Sequence, residues 1–252
     1  MIIVHIPCDV VTRRYAEYAF TAMCWLANDS TQLRLQLHDA VYKPTGFAAE
    51  SVAHGAAVGE VFKSIEGSPS DLHVICDSDT VVLQPKWDVT VQRFLQLVDC
   101  VGGAYEALDS SSRSRVSKYQ NTPHMTWLAL KPGLPWHRFE PQRPFVSDIH
   151  VGTDADALLW GLPIGFDVTS DACWNFPIFL RDNQLTSLGL RDTIPNYKAL
   201  AGFRPIHDEW ELPDGTPFVV HQRRAIQTPF RAEGFSREFY DRCDELLHLG
   251  RL

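Results

Sequence analysis

The sequence predicts an α/β domain, an αβα sandwich with a mostly parallel central sheet. Three observations lead there. Residues 2–79 alternate short apolar runs with segments of helical period, in the order β-α-β-α-β. Each apolar run ends at a turn-forming or acidic segment: Pro7-Cys8-Asp9, His38-Asp39 and Asp77-Ser78-Asp79. Carboxyl ends of parallel strands share one edge, and ligands bind outside that edge.

The elements follow in order. Residues 2–6 are a β-branched run that reads as a buried first strand. Ala16, Ala19, Phe20, Met23, Leu26 and Ala27 recur at the spacing of one helix face, and Asn28-Asp29-Ser30 ends it. Leu33, Leu35 and Leu37 alternate as a second strand. Residues 50–66 read as a helix with Val58, Phe62 and Ile65 inward, and Gly67-Ser68-Pro69 breaks it. Leu72–Cys76 is a third strand. Val91, Phe94, Leu95 and Val98 mark another helix. Residues 100–105 and 125–130 read as strands, and residues 154–160 as a short helix. Residues 218–220 form a late strand ending at His221. A C-terminal helix starts near Ser236 and carries Phe239, Cys243, Leu246 and Leu247 on one face. The polar segment 107–120, with its serine triplet, reads as a surface loop or as a lid over substrate.

A length of 252 residues suits a single domain. Apolar residues make up 45% and charged residues 21%, which is ordinary for a globular protein. The formal charge is −8 and no basic run is present, so nucleic acid is not an expected partner. The six cysteines are scattered without CxxC spacing, which fits a reduced, cytoplasmic setting. MIIVHIP does not read as a signal peptide, and no stretch reaches the roughly 18 apolar residues of a membrane span.

The chemistry centres on residues 73–83, HVICDSDTVVL. Two carboxylates at the end of an apolar strand offer hard oxygen ligands to Mg²⁺ or Mn²⁺. Such an ion can bridge the phosphates of a nucleoside diphosphate and neutralise a leaving group. Ala53-His54-Gly55-Ala56-Ala57, a helix, the Asp77-Ser78-Asp79 strand end and Trp87-Asp88 together resemble the GT-A glycosyltransferases. The resemblance spans residues 1–105.

It implies a GT-A-like (Rossmann-like) αβα sandwich over 1–252, with a nucleotide-binding half at 1–105 and an acceptor-binding half at 106–252. It implies a UDP- or GDP-sugar donor, a carbohydrate or other hydroxyl acceptor, and Mn²⁺ or Mg²⁺. Pro7 and Asp9 would border base and ribose, Asp39 would touch either, and His54 and Gly55 would border the nucleotide. Asp77 would approach the ribose or metal, and Asp79 would be the firmer ligand. The family's late metal-binding histidine corresponds to His221, and Arg223 or Arg224 would hold the diphosphate. Asp39 reads equally as a turn residue, and His54, with Gly55 at the family's helix start, as a helix N-terminal residue without ligand role. Asp148, Asp154 and Asp156 are candidates for a general base, each readable also as a helix cap. The family often has Glu-Asp or Asp-Thr-Gly there. This chain has Thr153-Asp154-Ala155-Asp156, which leaves base and stereochemistry open. Trp127, Trp136, Trp160 and Trp174 are candidates for sugar stacking or for core.

Three other readings compete. DSDTV also fits a haloacid-dehalogenase phosphatase, with Asp77 as nucleophile and Asp79 as general acid. A nucleotidyltransferase would need a glycine-rich loop after the first strand, which Pro7-Cys8-Asp9-Val10 lacks. A non-catalytic binding module would use the same acids to hold a structural ion.

Overall fold

A computed structural model describes residues 1–10, 12–40, 47–104, 122–123, 125–141, 149–151, 166–168, 173, 175–192, 208–222 and 233–249. The expectations placed on Asp148, Asp154, Asp156, Arg223, Arg224, Trp160, Trp174, the segment 107–120 and the helix at 154–160 lie outside the described residues. The first five elements follow the order read from the sequence. They are β1 (Ile2–Cys8), α1 (Arg13–Leu26), β2 (Leu33–Asp39), α2 (Phe47–Ser64) and β3 (Leu72–Cys76). β4 (Thr80–Val82), α3 (Trp87–Leu97), β5 (Cys100–Gly103) and β6 (Trp127–Leu130) come next. The chain continues with β7 (Ile149–Val151), β8 (Phe166–Val168), α4 (Phe176–Asp182), β9 (Ser187–Asp192), β10 (Asp208–Glu211), β11 (Pro217–His221) and α5 (Glu233–Leu249).

The main sheet has nine strands in the order β2-β1-β3-β6-β5-β9-β10-β11-β4. β1 pairs in parallel with β2 and β3, and β5 with β9. The ladders β3–β6, β6–β5, β9–β10, β10–β11 and β11–β4 are antiparallel. β7 and β8 form a separate antiparallel pair. The expected mostly parallel, Rossmann-like αβα sandwich of GT-A type is therefore wrong. The sheet is mixed, with antiparallel ladders predominating and few helices around it. Connection length explains the difference. A parallel neighbour needs a crossover of a dozen or more residues. β10 and β11 are joined by residues 212–216 alone, which permits only a hairpin.

The sheet also curls into a half-barrel. β3 lies mid-sheet and β4 at the far edge, yet only three residues separate them. Consecutive Cα atoms are about 3.8 Å apart, so Cys76 and Thr80 lie within about 15 Å. In a flat sheet, six steps of about 4.8 Å would hold those strands about 29 Å apart. Trp127 of β6 and Phe218 of β11 accordingly meet edge to face, with ring centroids 4.9 Å apart. Gly103 of β5 leaves room for the Trp210 ring of β10; a Cβ there would lie 2.5 Å from Cε2. The same ring donates from Nε1 to the Ala104 carbonyl at 3.1 Å.

Side chains of the central strands alternate between two cores. Leu72, Val74 and Cys76 join one core, with Ala16, Ala19 and Met23 of α1, Leu95 of α3 and Phe239 of α5. Ile75 joins the other, with Val58 and Phe62 of α2 and Phe176 of α4. β1 runs two residues further than its β-branched run suggests, through Pro7. The Cys8 carbonyl accepts from Ala40 N–H at the β2 side. Residues alternate in direction, so the nitrogen of Pro7 faces the β3 side, where the ladder has already ended at His5 and Ile75.

Three buried histidines cross this parallel part. His73 Nε2 donates to the Ser68 carbonyl at 2.9 Å, because a carbonyl can only accept. With all three rings neutral, His5 Nε2 then donates to His73 Nδ1 at 2.8 Å, and His38 Nε2 to His5 Nδ1 at 3.0 Å. Burial, helped by the charges that His73 and His38 would carry, pushes the His5 pKa down to about 3.

Candidate metal centre

Asp77-Ser78-Asp79 is the whole link between β3 and β4. Thr80 N–H donates to the Asp77 carbonyl at 3.2 Å and closes the turn, while Asp77 N–H donates to the Thr126 carbonyl at 2.9 Å. The acids therefore sit in a tight turn pinned to the turn residue just before β6, rather than alternating along a strand. The half-barrel brings β11 against β4, and with it the end residue His221.

His221 Nε2 lies 3.3 Å from Asp79 Oδ1 and 4.0 Å from Asp77 Oδ2. Ligand atoms of Asp77, Asp79 and His221 all fall within 4.8 Å of one another. Two carboxylate oxygens and one imidazole nitrogen at that spacing suit a hard or borderline divalent cation. The side chains of Asp77, Asp79 and His221 are 18%, 8% and 13% exposed, so a bound ion would be largely shielded yet reachable.

Behind His221 stands Asp208, which the sequence reading missed. It is directly opposite His221 in the β10–β11 hairpin and is fully buried. His221 Nδ1 donates to its Oδ2 at 2.9 Å. A carboxylate fixing the far nitrogen of a metal-binding histidine sets its tautomer and orientation. The turn residues Leu212-Pro213-Asp214-Gly215-Thr216 predict a hairpin, but counting back from Glu211 opposite Pro217 sets His221 against position 207; the register shift between Trp210 and Glu211, which no sequence signal gives, moves its partner to Asp208. Burial opposes charge on His221, but the Asp79 carboxylate and the bond to Asp208 outweigh it. Its pKa is pushed up to about 10. Without an ion, this imidazolium holds the acids together.

His54 belongs to the cluster, with Nε2 2.9 Å from Asp77 Oδ1. It lies two turns inside α2, which starts at Phe47, so His54 and Gly55 are not at a helix start as expected. Gly55 is buried there. Asp9 closes the turn before α1: its Oδ1 accepts from Thr12 N–H at 2.7 Å and from Thr12 Oγ1 at 2.8 Å. Asp39 ends β2 opposite Cys8, exposed at the same strand-end edge. Pro7 is buried within β1. Trp127 and Trp136 are core side chains, unable to stack on a sugar from solvent. From α5, Tyr240 lies close enough to Asp79 to feel its charge. Burial first, and that charge next, hold its phenol far above the usual range.

No protein-family model matches the sequence, and no curated protein matches it. One solved structure with some similarity is described as "Crystal Structure of A197 from STIV". It is 12% identical, with 86% of this chain and 92% of that chain covered at a TM-score of 0.37. A likeness at that level carries no argument about this chain. No described helix is long and apolar enough to cross a membrane.

Proposed function

We propose that this chain is a metal-dependent glycosyltransferase, moving a sugar from a nucleoside-diphosphate-sugar to a hydroxyl acceptor. The observation that carries the reading is the convergence of Asp77, Asp79 and His221, with Asp208 behind the histidine. Mn²⁺ or Mg²⁺ held there would neutralise the diphosphate as it leaves. The chain's own residues have separate parts in this reading. Asp77 and Asp79 supply oxygens, and His221 supplies Nε2 once it has lost its proton. Asp208 keeps that nitrogen aimed at the site. Asp9 and Asp39, at the ends of β1 and β2, would border the nucleoside with Pro7, His54 and Gly55. Arg223 and Arg224, directly after Gln222, would hold the diphosphate oxygens. Asp148, Asp154 and Asp156 remain the candidates for the base on the acceptor.

The test is thermal stability against UDP, GDP, other nucleoside diphosphates and their sugars, with and without Mn²⁺. A ligand that binds the native state raises the midpoint. Stabilisation by one nucleoside class that requires metal supports the reading and identifies the base. Stabilisation by vanadate or beryllofluoride with Mg²⁺, and by no nucleotide, would replace it with the phosphatase.

A further inference from the structure

Thr80 follows Asp79 and opens β4. It is fully buried, and its Oγ1 has no hydrogen-bond partner among the described residues. A buried hydroxyl without a partner costs stability. Nothing in the strand calls for it, since valine has the same shape and fills the next two positions, Val81 and Val82. The hydroxyl therefore points to a partner that the described residues do not supply.

Register says where that partner sits. His221 pairs directly with Thr80 on β4 and with Asp208 on β10. Side chains of directly opposed residues leave the sheet on the same face, with Cβ atoms about 4.5–5.5 Å apart in antiparallel ladders. Asp208, His221 and Thr80 thus form a row across three strands. The histidine's Nδ1 is turned to Asp208, and its Nε2 is turned to Asp79, the neighbour of Thr80. The orphan hydroxyl flanks the acid–histidine cluster on the side away from Asp208.

We propose that Thr80 Oγ1 is a fourth protein donor to the ion at this centre, joining Asp77, Asp79 and His221. The proposal rests on the metal reading of the site and not on the identity of the donor sugar. A threonine hydroxyl adds a neutral oxygen, the ligand type that hard divalent cations accept. It also explains why an unsatisfied group is tolerated in a strand that valine would suit.

The test uses the full chain and Mn²⁺ alone, followed by the loss of the free-ion EPR signal on binding. Thr80→Val keeps the shape and removes the hydroxyl; Thr80→Ser keeps the hydroxyl. Thr80→Val is expected to weaken Mn²⁺ binding about tenfold or more. Its ion-free melting temperature should be unchanged or higher, because an orphan polar group has gone. Thr80→Ser should bind within about threefold of wild type, against the tenfold or greater loss expected of a removed donor. Wild-type binding by Thr80→Val would overturn the proposal and leave the metal centre standing. An ion-free Thr80→Val protein that melts well below wild type would assign the hydroxyl to the fold, overturning it too. If the wild type itself binds no Mn²⁺, the metal centre and the proposal fall together.

Discussion

His221 and Asp208 face each other across the β10–β11 hairpin, with Nδ1 2.9 Å from a carboxylate that is fully buried. The pair turns a strand-end histidine into an oriented one. Asp208→Asn keeps an acceptor for Nδ1 and removes the charge. It is expected to weaken Mn²⁺ binding by about 10- to 100-fold with the circular dichroism spectrum unchanged. The His221 imidazole should also titrate at lower pH, which NMR of its ring protons reads directly. Unchanged affinity in this variant would leave Asp208 with a purely structural part.

The raised pKa of His221 predicts two linked pH dependences. Its stabilising charge is fully present below the ordinary pKa of 6.5 and is lost as pH rises through about 10. Ion-free protein should therefore lose stability across that window. A cation must displace the proton, so Mn²⁺ affinity should run the other way, rising up to about tenfold per pH unit between pH 7 and 9. Binding isotherms in buffers of different ionisation enthalpy count the released proton, expected to be close to one per ion. Affinity that is flat over this range would mean that His221 is not a ligand.

The buried histidine chain predicts acid sensitivity of opposite sign. His5 is pushed down to about 3, so its contribution is present above pH 6.5 and is lost as pH falls towards 3. His5→Leu strands the Nε2–H of His38 and the Nδ1 acceptor of His73, at a cost of about 1–3 kcal/mol at pH 7. It also removes the most strongly shifted of the three histidines. Urea melts at pH 7 and pH 4.5 should show a smaller difference in the variant than in wild type.

Gly103→Ala tests the curl of the sheet. The added methyl would collide with the buried Trp210 ring, which cannot swing clear of its bond to Ala104 without leaving the core. The expected loss is about 1–3 kcal/mol. Because Trp210 is two residues from Asp208 on β10, Mn²⁺ affinity should fall as well. A variant as stable as wild type would show that β5 and β10 are not held at this spacing.

Much of the first half was legible because it depends on local pattern. The β-branched run at β1, the helical spacing of α1 and the alternation of β2 each lie within a window of a few residues. So does the acidic turn after β3, whereas the late histidine on β11 came from the family resemblance. The second half was not, because its strands are short and their neighbours lie far away in sequence. β9 and β10 escaped notice, and with them the antiparallel ladders that make the sheet mixed. The sequence alone placed Asp77, Asp79 and His221 in one hypothesis. Only the tertiary structure put His54, Asp208 and Thr80 around them, through a helix two turns past its start and a cross-strand register. The physical reason lies in the link between β3 and β4. Three residues cannot cross a flat sheet, so the sheet curls, and the curl carries His221 to the acids.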